Sequence, residues 1–141
     1  MMKRYREVAC ALLVDELGRL LLQQRDDKPD IVQPGKVGLF GGHREIGETY
    51  LECVVREVRE EISFYVPPNG FAHLEGFEGP DPEVSYGRAH AEFYFARHVP
   101  VEKIIVTEGA LLIISSGEVD QIASKLTPFA RMAIESFLGR D

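Results

Sequence analysis

The sequence predicts a mixed α/β fold (α/β or α+β class), and three observations predict it. Residues 8–14, VACALLV, form a continuous apolar run of strand length. Residues 89–99 alternate, with Ala89, Ala91, Phe93 and Phe95 on one face and His90, Glu92, Tyr94 and His98 on the other. Between them Leu51, Val54, Val55, Val58 and Ile62 recur at helical spacing, behind a capping box of Thr49 and Glu52. No internal repeat, low-complexity tract or linker interrupts the chain, so residues 1–141 read as one domain.

The elements follow in order. The run 8–14 suits a strand buried on both faces, and Asp15-Glu16-Leu17-Gly18 is the turn to a return strand over 19–24. Residues 25–36 are polar and carry Pro29 and Pro34-Gly35, so they read as a loop. A short strand over 37–40 leads into Gly41 and Gly42, and the helix starts near Tyr50. Pro67-Pro68-Asn69-Gly70 is a turn before a strand over 71–77, with Phe71, His73, Glu75 and Phe77 on one face. Residues 78–88, rich in Gly and Pro, read as a mobile loop able to select substrate. After the alternating strand, 110–114 is another apolar strand. Ser115 with Glu118 caps a short helix carrying Val119, Ile122 and Ala123. Thr127-Pro128 opens a last helix whose face of Phe129, Met132, Ala133, Ser136 and Phe137 packs in the core, and Gly139 ends it.

Composition excludes several classes. A net charge of −7 argues against non-specific binding to a nucleic-acid duplex, which needs a basic footprint. It leaves a nucleotide substrate open, since a divalent cation offsets both an acidic site and phosphates. Cys10 and Cys53 lie in apolar runs and read as buried hydrophobes, not a disulfide. No apolar run is long enough to span a membrane, and Glu7, Asp15 and Glu16 break any signal-peptide pattern near the start. The expected location is cytoplasmic, and a homodimer stays open.

The chemistry concentrates in residues 41–64, GGHREIGETYLECVVREVREEISF. Glu57, Glu60 and Glu61, at i, i+3 and i+4, lie about a turn apart on one side of a helix. Three like charges there repel one another unless a cation sits among them, and hard ions such as Mg²⁺ take carboxylates and substrate phosphates as ligands. The plainer alternative is a solvated acidic face. Gly41 and Gly42 permit tight backbone approach just before the helix.

This stretch resembles the signature of the Nudix hydrolases, with Gly42, Glu48, Arg56, Glu57, Val58, Glu60 and Glu61 in place and Phe64 at the final apolar position. Ser63 stands where that family has Gly. If the left-handed cap is kept, Ser63 costs on the order of 1 kcal/mol; the other course is a helix end remodelled toward residues 64–66.

The resemblance implies an α/β/α sandwich with a mixed central sheet. It implies metal-dependent hydrolysis of a diphosphate linkage in a nucleoside diphosphate linked to another group: a nucleoside triphosphate, ADP-ribose or a nucleotide sugar. It assigns Glu57, Glu60 and Glu61 to metal and catalysis, with the Gly42 carbonyl as a further ligand, Mg²⁺ as the ion and Mn²⁺ as its alternative. Glu57 could instead be the base that deprotonates water. Glu48 and Arg56 would support the site as an ion pair. Arg25 would contact substrate phosphates, unless it is a surface Arg in a salt bridge. Phe40, where many relatives have Pro, would bring an aromatic ring near the site. Glu108 is the candidate general base because a Glu-Gly loop can reach the cleft, with Glu102 and Glu92 as rivals. His90 could line the cleft with Glu92, but reads more simply as structural. Pro80 stands near a position where some ADP-ribose hydrolases carry Pro. Two other readings are a nucleotide-binding or regulatory Nudix module without turnover, and an isoprenoid diphosphate isomerase. The second needs an active-site Cys and Glu that are not evident here.

Overall fold

Strand β1, Arg4–Asp15, is the axis of the sheet in the computed structural model, which describes residues 4–140. Its apolar run alternates between two cores. Val8, Leu12 and Val14 face one side of the sheet, and Ala9, Ala11 and Leu13 face the other. A strand covered on both faces needs hydrophobic residues at every position, which is what the continuous run supplies.

Asp15 folds the chain back into β2, Leu20–Gln24. Its buried carboxylate accepts the backbone amides of Leu17 and Arg19 at 3.0 and 2.8 Å and the Arg19 Nε at 2.7 Å. After the loop 25–36 come β3, Val37–Gly38, and β4, Phe40–His43. The two glycines expected to follow a strand therefore lie inside one. Helix α1, Tyr50–Ile62, carries the expected capping box at Thr49 and Glu52. Strands β5, Ala72–Pro80, and β6, Gly87–Val99, follow, then β7, Ala110–Ile114. The sheet order is β3-β2-β1-β6-β5, with β4 also on β1 and β7 on β2. Only β1 and β6 run parallel, so the sheet is mixed.

Helix α1 covers one face of the sheet with Cys53, Val54, Val58 and Ile62. The other face is covered by α3, Pro128–Leu138, through Phe129, Ala130, Ala133 and Ile134. The result is the α/β/α sandwich. Among the described residues no helix is long and apolar enough to cross a membrane.

Three expectations change. Residues 78–88 are not one loop: β5 runs through Pro80 and β6 begins at Gly87. The short connection left over is pinned, because Arg6 donates to Asp81 at 2.6 and 2.9 Å and to Glu83 at 3.4 Å. Glu83 also accepts the Phe129 amide at 3.0 Å, tying the connection to the start of α3. In β5 a bulge between His73 and Glu75 breaks the expected single face. Phe71 packs under α1, while Leu74 and Phe77 pack on the α3 side. The capping box of Ser115 and Glu118 is present, but it opens only a 3-10 turn before α2, Val119–Ile122, and a second 3-10 turn. Leu126 then bridges to Val37, and the Thr127 amide donates to the Val37 carbonyl at 2.9 Å.

Candidate active site

The site forms where β4 crosses under the last turns of α1. Gly41 pairs with Cys10 and Gly42 with Ala9. At Gly41 φ is 148°, and a side chain there would run into the Ala9 carbonyl oxygen. At Gly42 a Cβ would stand 2.5 Å from the Glu57 carboxyl carbon. One glycine thus lets β4 lie close on β1, and the other leaves room for a carboxylate. The Gly41 amide donates to Glu61 Oε1 at 2.7 Å. The Gly42 carbonyl, expected as a metal ligand, accepts the Cys53 thiol at 3.5 Å.

Glu57 and Glu61, four residues apart, turn the same way toward this bend, as helical spacing requires. Burial pushes the Glu61 carboxyl up to about 8; the Gly41 amide opposes this, and the charges of Glu57 and Glu108 add to it. Arg25 acts in the opposite direction. Glu57 lies 2.8 Å from Arg56 Nη1. Glu60 stands apart: its side chain is 59% exposed, its nearest cation is Arg56 at 3.5 Å, and it borders an outer groove with Val55 and Tyr65. Among the described residues no three carboxylate, imidazole or thiol groups converge on one point. The donor chemistry nevertheless fits a divalent cation. Glu61 is a largely buried carboxylate with a second carboxylate beside it, and negative charge exceeds the hydrogen bonds that offset it.

The expected Glu48–Arg56 ion pair is present. Arg56 donates to Glu48 at 2.7 and 2.9 Å and to the His43 carbonyl at 3.0 Å. These Arg56 bonds hold the Glu48 carboxyl down to about 2. The forked guanidinium thereby fixes the loop 43–48 against the body of α1.

Glu108 comes to the site on the connection that follows β6. Ile105 and Thr107 donate backbone amides to the Ile62 and Glu61 carbonyls at 2.9 and 3.0 Å. Gln23 Nε2 donates to the Glu108 carbonyl at 3.0 Å. Of the rivals, Glu92 is engaged with His73 and His90 at 2.6 and 2.5 Å. His90 is accordingly a partner of Glu92 and Tyr50, as the simpler reading held. Glu102 lies in the 3-10 turn Val101–Lys103 and is exposed.

Arg25 stands between two cavities. One, of about 190 Å³, is bounded by Cys10, Leu39, Gly41, His43 and Phe129. The other, of about 470 Å³, is polar and bounded by Gln23, Lys28, Thr107 and Glu108. Arg25 Nε is buried without a hydrogen-bond partner, and the side chain makes no ion pair among the described residues. The salt bridge of the alternative reading is therefore not formed among the described residues.

Phe40 is a correction. Its ring is 0% exposed and lies in the core under α1, so it does not face a ligand. It pairs with Ala11, whose side of β1 faces the helix, and the register turns the ring inward. Sequence reasoning missed Gln23 and Thr107. The only signal was a pair of carboxamides, Gln23 and Gln24, at the end of a leucine run.

Comparisons with known proteins show the family and the fold. The family profile for the NUDIX domain matches residues 4–137. A MutT NUDIX hydrolase from Burkholderia pseudomallei superposes with a TM-score of 0.76 at 25% identity, covering 95% of this chain and 98% of that one. The MutT protein of Methanosarcina mazei Go1 gives a TM-score of 0.80 at 22% identity, covering 97% of this chain and 95% of that one. A bifunctional NMN adenylyltransferase/ADP ribose pyrophosphatase from Francisella tularensis, solved with AMP and a manganese ion, gives 0.75 at 21% identity. The match covers 97% of this chain but 42% of that longer one.

Proposed function

The chain belongs to the Nudix family of pyrophosphohydrolases, and we propose that it hydrolyses the diphosphate linkage of a small nucleotide in the presence of Mg²⁺. The substrate is a nucleoside triphosphate, ADP-ribose or a nucleotide sugar. The observation that carries this reading is the placement of Glu57 and Glu61 against the Gly41–Gly42 bend, with Glu108 and an Arg25 that makes no ion pair among the described residues beside them.

Glu57, Glu61 and the Gly42 carbonyl would hold the ion, with Mn²⁺ as its alternative, and Glu60 would join them by turning in from the outer groove it borders. When bound, the cation supplies charge neutralisation at the phosphates and acidifies a water molecule. Arg25 meets the phosphates as they cross from the smaller cavity to the larger. Glu108 accepts the proton of the attacking water as its oxygen bonds to phosphorus. The bridging P–O bond breaks, and its electron pair leaves on the departing phosphate oxygen. Arg56 and Glu48 hold α1 so that Glu57 and Glu61 keep their aim.

The second reading is a Nudix module that binds nucleotide without turnover. Retention of the carboxylate pair at the bend favours the enzyme. The test is hydrolysis of GTP, 8-oxo-GTP, ADP-ribose and a nucleotide sugar, followed by separating the nucleoside mono- or diphosphate product, each with Mg²⁺, with Mn²⁺ and with chelator. Metal-dependent turnover of one class, lost by at least about a hundredfold in Glu61→Gln with the fold intact, supports the enzyme. Tight binding without turnover supports the module instead.

A further inference from the structure

Gln23 is buried in a place where a carboxamide is costly. Its side chain is 5% exposed, and β2 before it reads Leu20-Leu21-Leu22. It points to the α1 side of the sheet, as Leu21 does. A polar group buried there needs a partner. The partner is the Glu108 carbonyl, at 3.0 Å and 85 positions away in sequence. Immediately after it, Gly109 is left-handed (φ 68°), and a side chain at that position would strike the Gln24 carbonyl. The turn carrying Glu108 is therefore held on β2 at two successive residues.

The same connection is held at its other end by α1. The last carbonyls of a helix have no partner within it. Here the Ile105 and Thr107 amides take up the Ile62 and Glu61 carbonyls, and Thr107 Oγ1 adds bonds to the Glu60 and Glu61 carbonyls at 3.3 and 3.4 Å. Glu108 is thus suspended between the strand end at Gln23 and the helix end bearing Glu60 and Glu61. Nothing in its own side chain fixes its position, because Glu108 is exposed and its carboxylate accepts no hydrogen bond among the described residues.

We infer that Gln23 is a positioning residue: with Thr107, it fixes the connection that presents Glu108 to the Glu57–Glu61 site. The inference rests on the hydrolase reading, in which Glu108 accepts the proton of water. Proton transfer demands hydrogen-bond reach, so a shift of about 1 Å in this turn lowers kcat while substrate binding through Arg25 persists.

The experiment is a double-mutant cycle in Mg²⁺, using whichever of GTP, 8-oxo-GTP or ADP-ribose the wild-type chain turns over fastest. Gln23→Met keeps the volume and removes the N–H, and Thr107→Val removes the hydroxyl at the opposite anchor. Each is combined with Glu108→Gln, and folding is checked by circular dichroism. The expected result is a fall of about tenfold in kcat for Gln23→Met with KM within about twofold, and a smaller fall in the same direction for Thr107→Val. In the Glu108→Gln background neither variant should cost more than about twofold further. Full losses retained in that background, a loss seen in KM alone, or unchanged kcat in both single variants would overturn the inference. A Glu108→Gln chain as active as wild type, with Glu61→Gln inactive, would overturn the role of Glu108 and this inference while the hydrolase reading stands. No turnover of any of these three, nor of a nucleotide sugar, by the wild-type chain would overturn the hydrolase reading itself.

Discussion

The Gly41 amide donates to Glu61 Oε1 at 2.7 Å, and this is the only hydrogen bond to that carboxylate among the described residues. Burial and the Glu57 and Glu108 charges push the Glu61 carboxyl from its ordinary 4.5 up to about 8. Between those values the folded chain keeps a proton that the unfolded chain has lost. Stability contributed by this group therefore falls as pH rises. The metal-free protein should lose Tm between pH 5 and pH 8. Mg²⁺ should restore it at pH 8 and do little at pH 5, because the ion competes with that proton. Glu61→Gln should flatten the slope. Thermal scans across pH with chelator and with Mg²⁺ check this, and an equally steep slope in Glu61→Gln would sink it.

The two glycines of β4 should respond differently to a methyl group. In Gly42→Ala the new Cβ meets the Glu57 carboxylate, the movable end of a side chain. The fold should persist, with kcat down at least about tenfold as Glu57 is displaced. In Gly41→Ala the methyl meets the Ala9 backbone at φ 148°, where nothing can give way cheaply. That variant should lose about 3 kcal/mol or more. Urea denaturation separates the two cases, and equal stability losses would contradict the assignment.

Ser63 keeps the left-handed cap (φ 56°, ψ 31°), and its amide donates to the Arg59 carbonyl at 3.0 Å. The helix end is not remodelled. Ser63→Gly should therefore stabilise the chain by about 1 kcal/mol without changing kcat. A destabilised Ser63→Gly would mean that the serine side chain contributes something the cap geometry does not show.

Arg6 and Asp81 are 8% and 1% exposed, with Glu83 completing a buried triad. Removing one member leaves a buried charge without its partner. Asp81→Ala should cost about 3–5 kcal/mol. It should also loosen the short connection between β5 and β6 that Arg6 anchors, seen as faster amide exchange at residues 81–86. A loss under about 1 kcal/mol would show the triad to be relaxed by water.

Much of this was legible in residues whose signal is local. The Thr49–Glu52 capping box marked the start of α1 to the residue, because a cap is decided by four neighbouring positions. Glu48 and Arg56, eight apart, were readable as a pair because one loop and one helix separate them. What escaped the sequence depends on register between distant strands. Whether Phe40 faces a ligand or the core is set by its pairing with Ala11. The bulge in β5 reverses the faces of the residues beyond it. The Gln23–Glu108 bond joins positions that no spacing rule connects. The extension of β5 and β6 into a Gly- and Pro-rich stretch was likewise hidden, since the buried Arg6 that pins it lies in another strand.

Strand β1 bears the site on one edge, through Gly41 and Gly42, and on the other edge pairs in parallel with β6, where Val8 lies opposite Ala91. That second partner is synthesised some eighty positions later. Pairings over such separations close slowly, since the intervening chain must be gathered first. During synthesis the signature is therefore complete long before the surface it rests on. A nascent chain ending just past Phe64 would carry all of its glutamates and lack the strand that closes β1 from the far side. It would be a period of vulnerability in which the apolar β1 edge stands open to a chaperone or to another copy of itself.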